Sequence, residues 1–328
     1  MKNKSTTRVV GAETSDNSPT FCRGDDNASS ASETKPLSGD ASLQSDSLRG
    51  NHGLQAGATH TASLPREARL PINRCNLPAV VLGGLTYQRH PSPLLIDGVA
   101  ELHADLFRRL NAAPAAALAD VFRDYLTVHF RLERPEEIGF TGLKKSRAKA
   151  NYVRMIRGWS FDSDSREAAV LKGWVESRFG LLPRYHAGSL ADTASEAFAR
   201  YLEARSTGLY GTNALESQLD LLYAYTQYEL HGPDPDRTHL TLYRGVNRLD
   251  AHERIVDKGP SAGVFLLNNL NSFSRSRERA CEFGDYILRA EVPLTKIFFY
   301  TGLLAGLLGG EEEFAVIGGL YEVDISRY

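Results

Sequence analysis

The segment GGEEEFAVIGG, residues 309 to 319, sets Glu311, Glu312 and Glu313 directly against a short apolar run. Adjacent carboxylates repel one another, so the arrangement carries a cost that a function can explain. If the segment leads into a β-strand, side chains alternate. Glu311 and Glu313 then share one face roughly 7 Å apart while Glu312 points the other way. Two converging carboxylates can stabilise a developing cation and accept a proton; the alternative is a solvated charged turn before a buried strand. Upstream, TLYRGVN ends an alternating run with Arg244 and Gly245. A guanidinium fork at a strand end can hold a phosphate, and the glycine lets a ligand approach the backbone; the alternative is a surface ion pair. Between these pieces, NNLNSFSRSRERACEFGD places Ser272 and Ser274 on one side of a strand and Phe273 on the other. Short hydroxyls can orient a carboxylate without adding charge, although serine-rich strand ends are also common in sites with no chemistry.

These residues need a β-rich frame, and the chain supplies one. After Asp236 the hydrophobic period is two, in the runs HLTLYRG, AGVFLLNNL, DYILRAEV, TKIFFY, EFAVIG and LYEVDI, separated by Gly, Pro, Asn or charged turns. Before it the period is helical. Leu118, Val121, Phe122 and Tyr125 recur at helical spacing, as do Leu215, Leu219, Leu222 and Thr226. Asn213 with Glu216 three residues on reads as a capping box for the second of these helices, and HGPDPD ends it. The expected fold is α+β: a helical part over 71–238, then a mixed β-rich module over 239–328 carrying the site, the two forming one continuous domain. Residues 1–70, rich in Ser, Thr, Asn, Asp and Gly, read as a disordered polar tail.

Composition narrows the function. The 328 residues are 42% hydrophobic with a formal net charge of -2, which leaves no global basic field for nucleic acid. Cys22, Cys75 and Cys281 are widely spaced and form neither a disulfide framework nor a zinc motif. The start has no apolar core of signal-peptide length, and the longest apolar run, IFFYTGLLAGLL, is too short to span a bilayer, so a cytoplasmic protein is expected. No GxGxxG follows a strand, which argues against a Rossmann domain. Lys144, Lys145, Arg147, Lys149, Arg154 and Arg157 read as a solvated helix face, and Trp159 and Trp174 as core aromatics. His90, His129 and His186 carry no motif.

In order and in setting, Arg244, the Ser272 and Ser274 pair, and the Glu311 and Glu313 pair resemble the Arg, Ser-x-Ser, Glu-x-Glu pattern of mono-ADP-ribosyltransferases. Phe283, nine residues after Ser274, matches an aromatic common in that family. Phe273 departs from the pattern, because the middle position is usually small or Thr. From about Pro71 onward, NYVRMIRGWSFDS, AVLKGWVESRFGLLP, QLDLLYAY, HLTLYRG and FAVIGG resemble the branch of the family in nitrogen-fixing bacteria that modifies dinitrogenase reductase. The polar tail has no counterpart there. The resemblance implies that NAD is a consumed co-substrate, that no metal takes part, and that ADP-ribose passes to an arginine of dinitrogenase reductase. It also implies control by a PII-type nitrogen-regulatory protein. It assigns Glu313 to the 2'-hydroxyl of the nicotinamide ribose and Glu311 to the acceptor, as the catalytic pair. Arg244 is assigned to the pyrophosphate, Ser272 to holding Glu313, Ser274 to the NAD site beside it, Phe283 to the ribose, and the Gly245 backbone to the nicotinamide amide. The alternatives are an NAD glycohydrolase, a transferase for another protein, or a non-catalytic NAD-binding module.

Overall fold

The computed structural model describes residues 62–133, 151–232, 234, 236–304, 306 and 312–327. The expected tail therefore lies, up to residue 61, outside the described residues, as do Lys144, Lys145, Arg147, Lys149, Cys22 and Glu311. Packed structure begins earlier than the composition suggests. Leu64 and Ala68 are buried in the core, and the Leu70 N–H donates to the Gly180 carbonyl at 2.8 Å.

Helices come first. The short α1 (Ala79–Leu82), α2 (Leu85–Arg89) and α3 (Val99–Leu102) precede α4 (Ala104–Ala112) and α5 (Leu118–His129). Next come α6 (Tyr152–Phe161), α7 (Arg166–Phe179), α8 (Glu196–Leu209) and α9 (Leu215–His231). Asn151, Ser165 and Ser195 cap α6, α7 and α8 by accepting a first-turn N–H on the side-chain oxygen. The capping box expected at Asn213 is absent. The N-cap is Ala214 at φ 45°, and the Asn213 side chain instead donates to the Phe130 carbonyl, joining α9 to the end of α5.

Among the described residues six strands follow: β1 (His239–Val246), β2 (Glu253–Asp257), β3 (Ala262–Ser274), β4 (Tyr286–Pro293), β5 (Ile297–Tyr300) and β6 (Glu313–Arg327), with α10 (Arg277–Cys281) between β3 and β4. All pairings are antiparallel, in the order β2-β3-β1-β4-β6-β5 with a further pairing of β3 to β6. The sequence expectation of an α+β protein is met. Its helical and β-rich parts share one core, in which Trp174 stacks on Phe298 at 4.2 Å and Leu219, Leu222, Val264 and Ile317 all take part.

Strands β3 and β6 are buried on both faces. Val264, Leu266 and Leu270 pack toward the helices, while Phe265, Leu267 and Phe273 join residues of β1 and β4 in a second core. Burial on both faces explains why these strands read as continuous apolar runs, whereas β1 alternates. The runs EFAVIG and LYEVDI are one strand whose alternation reverses at Gly318 and Gly319. Ala315, Ile317 and Leu320 face the helices, and Phe314, Val316, Tyr321 and Val323 face the other core. β2 has no counterpart among the expected runs, because it is short, charged and mostly exposed at the sheet edge.

The reversal requires glycine. A Cβ at Gly318 would lie 1.7 Å from the Asn268 carbonyl oxygen, and Gly319 has φ 115° with its Cβ position 2.8 Å from the Gly83 backbone. The buried Lys296 ammonium donates to the Gly318 carbonyl at 2.7 Å and lies 4.8 Å from the Tyr321 ring centroid. Gly318→Ala is expected to destabilise the protein by about 3 kcal/mol, as a backbone clash that no side-chain rotation relieves. Gly302→Ala, whose nearest neighbour stands 3.9 Å away, should be close to neutral. Denaturant midpoints of the two variants against wild type measure the difference.

Candidate active site

One edge of β3 pairs with β6 from Ala262 to Ser274, interrupted by an irregularity between Leu267 and Leu270. On the other edge, β2 covers Gly263 to Leu266 and β1 reaches it only at Ser274, opposite Tyr243. The sheet therefore splits along the stretch between Leu266 and Ser274, and a cleft opens beside it. Ser274 sits at the corner, paired with Tyr243 of β1 and Glu313 of β6. Arg244, one residue beyond Tyr243, bridges the split: its Nη1 donates to the Ser272 carbonyl at 2.7 Å.

The cleft has a volume of about 390 Å³. Arg244, Gly245, Ser272, Ser274, Phe283 and Glu313 all line it, so six of the seven residues singled out from sequence converge on one cavity. The seventh, Glu311, is outside the described residues, and Glu312 lines the same cleft with its side chain exposed. Ser274, not Ser272, stands directly across from Glu313, while Ser272 opposes Ala315. Phe283 is 58% exposed at the mouth. Gly245 is placed by packing, because a Cβ there would lie 2.0 Å from the Ala280 carbonyl of α10, and Gly284 meets the Val246 backbone at 2.3 Å in the same way. These two glycines let α10 and the Phe283 loop close onto the end of β1.

Glu313 is held at its backbone and at its carboxylate. The Thr301 N–H donates to the Glu313 carbonyl at 2.8 Å, and the Glu313 N–H donates to Thr301 Oγ1 at 3.1 Å. Its carboxylate Oε1 accepts from the Trp159 indole Nε1 at 2.9 Å. Sequence placed Trp159 in the core. It is buried there, yet its polar edge belongs to the cleft. The available signal was that a buried tryptophan N–H needs an acceptor. Trp174, the other tryptophan, satisfies that need within the core by donating to Asp220.

A second chamber of about 420 Å³ shares Trp159, Ser163, Arg244 and Ser272 with the first. Its walls include the buried Lys172, whose ammonium reaches the Ser163 carbonyl at 2.8 Å, Asp164 at 3.1 Å and His186 Nδ1 at 3.2 Å. Arg244 lines both chambers. Burial pulls its guanidinium down to about 10, against the opposing charge of Glu313, and its Nε has no hydrogen-bond partner among the described residues. A buried guanidinium with an unmet donor suits an anion. On the far side of Glu313, a groove of about 320 Å³ is lined by Arg275, Tyr300 and Thr301. Among the described residues no group of three or more His, Cys, Asp or Glu could hold a metal ion, and no helix is long and apolar enough to cross a membrane.

An arginine, a serine pair and a glutamate gathered from three strands over one cleft match the pattern that defines the ADP-ribosyltransferase class. Within that class, the model of the family "Dinitrogenase reductase ADP-ribosyltransferase (DRAT)" matches residues 72–325. The chain is also 38% identical over 259 residues to the NAD(+)--dinitrogen-reductase ADP-D-ribosyltransferase of Rhodospirillum rubrum, covering 77% of this chain and 94% of that protein. The chain belongs to the dinitrogenase reductase ADP-ribosyltransferase family. No solved structure matches it.

Two histidines beside the cleft make stability depend on pH. Burial and the Lys172 charge push His186 down to about 4, and burial with the Arg244 charge does the same to His252. The unfolded chain, with histidines near 6.5, binds more protons between about pH 6.5 and 4. Stability is thus fully present above pH 6.5 and lost as pH falls through that window, by up to about 3 kcal/mol per histidine. Thermal unfolding between pH 7 and 4.5 should show the decline, and His186→Gln should flatten it.

Proposed function

We propose that the protein transfers ADP-ribose from NAD to an arginine of dinitrogenase reductase, releasing nicotinamide and inactivating the acceptor. The observation that carries this reading is the convergence of Arg244, Ser272, Ser274 and Glu313 on one cleft, with the Arg244 donor unmet inside it. Family membership and the name of the Rhodospirillum rubrum relative support the acceptor. The sequence resemblance supports control by a PII-type nitrogen-regulatory protein, and a cytoplasmic location is part of the same reading.

In the reaction, the bond between ribose C1' and the nicotinamide nitrogen breaks, and nicotinamide leaves with the electron pair. The ribose becomes cationic, and a guanidine nitrogen of the acceptor then bonds to C1' and loses its proton. Glu313, 8% exposed, supplies a fixed negative charge in a poorly solvated setting, where it stabilises that cation more strongly than in water. Arg244 binds the pyrophosphate through its free edge. Ser272 and Ser274 support Glu313 and the ribose from β3, Phe283 packs on the nicotinamide ribose, and the Gly245 backbone faces the nicotinamide amide. Glu311 orients the acceptor guanidinium and takes its proton, a role that the family resemblance implies. A guanidinium is a poor nucleophile, so positioning it is much of the catalysis.

The test is transfer of label from adenylate-labelled NAD to purified dinitrogenase reductase. Wild type should label the acceptor. Glu313→Gln should lower turnover by about 1,000-fold while NAD affinity changes little. Nicotinamide release without label would point to a hydrolase or another acceptor, and neither product, with the regulatory partner supplied, to a binding module. Glu311→Gln should abolish transfer yet leave nicotinamide release; equal loss of both would remove Glu311 from the acceptor role.

A further inference from the structure

We infer that Trp159 is a positioning residue for the catalytic glutamate, holding one carboxylate oxygen so that the other faces the ribose. The inference rests on the proposed role of Glu313. The indole N–H is a donor only, and it reaches Glu313 Oε1 at 2.9 Å. Trp159 is 3% exposed and packed in the larger core, so its ring has little freedom to leave this geometry.

The surrounding chain fixes that ring. Gly158 lets α6 press against α7, since a Cβ there would lie 2.4 Å from the Glu167 side chain. Ser165, the N-cap of α7, donates its hydroxyl to the Gly158 carbonyl at 3.2 Å, and Arg154 of α6 pairs with Glu167 of α7 at 3.0 Å. The two helices thus set the indole, and Thr301 sets the Glu313 backbone from β5's far end. The consequence is geometric: with Oε1 tied to the indole, the carboxylate plane is fixed and Oε2 is the oxygen presented to a substrate hydroxyl. Trp159 therefore acts through Glu313 and touches no reacting atom in this role.

The experiment compares wild type, Trp159→Phe, Glu313→Gln and the double variant by nicotinamide release and NAD binding. Trp159→Phe keeps an aromatic ring and removes the donor. It should lower kcat about 10- to 100-fold and leave NAD affinity within about threefold. The double variant should be no slower than Glu313→Gln alone. An unchanged kcat, or losses that add in the double variant, would overturn the inference. So would NAD affinity falling as far as kcat. A second measurement covers a variant that does not fold. The protein has two tryptophans, so in Trp174→Phe the remaining indole N–H resonance belongs to Trp159. Glu313→Gln in that background should move the resonance upfield, and no movement would refute the bond. If Glu313→Gln retains turnover, the proposed function fails at its own test, whatever the indole resonance shows.

Discussion

The split along one edge of β3 is the constraint on which the site depends. A strand has two edges, and β6 occupies one of them from Ala262 to Ser274, apart from an irregularity between Leu267 and Leu270. On the other edge, β2 and β1 arrive at opposite ends, so the stretch between Leu266 and Ser274 is left without a strand partner. Unpaired backbone next to a core is costly unless something else satisfies it. Here Arg244 reaches across to the Ser272 carbonyl, and Asn268 and Asn271 line the second chamber along the same stretch. The cleft is therefore a consequence of strand topology rather than a hollow carved into a finished surface.

The same topology explains the demanding packing of β6. With helices on one side and β1 and β4 on the other, both faces of this strand must be apolar. Its alternation reverses at Gly318 and Gly319, where the Asn268 and Gly83 backbones come too close for any Cβ. Lys296 carries a charge deep into this region. Burial pulls it down to about 7, and its ammonium is spent on the Gly318 carbonyl and the face of Tyr321. The reversal lies between the edge that carries Glu313 and the remainder of the strand, so it fixes which face the glutamate presents.

Electrostatics at the cleft are asymmetric. Arg244, His252, His186 and Lys172 are all displaced toward their neutral forms by burial; the Arg244 charge adds to this at His252 and Lys172, and the Lys172 charge at His186. Such a wall favours an anionic ligand, which relieves the crowding of positive charge. Glu313 faces it from the opposite side, under a tryptophan donor and a threonine clamp.

Much of this was legible in the sequence. The helical and two-residue periods gave the α+β order, because periodicity is a local property, and Arg244, Ser272, Ser274, Phe283 and Glu313, singled out by type and by family resemblance, line one cleft. The capping of α9 was misread at Asn213 because a long-range contact to Phe130 took its side chain. The exposed β2 carried too few apolar residues to register. Pairing register lies in no local pattern. That Ser274 rather than Ser272 opposes Glu313, that two runs form one strand, and that Trp159 turns its N–H from the core into the cleft were decided only when distant segments packed. Each depends on contacts between residues far apart in the chain, which is why tertiary structure alone could settle them.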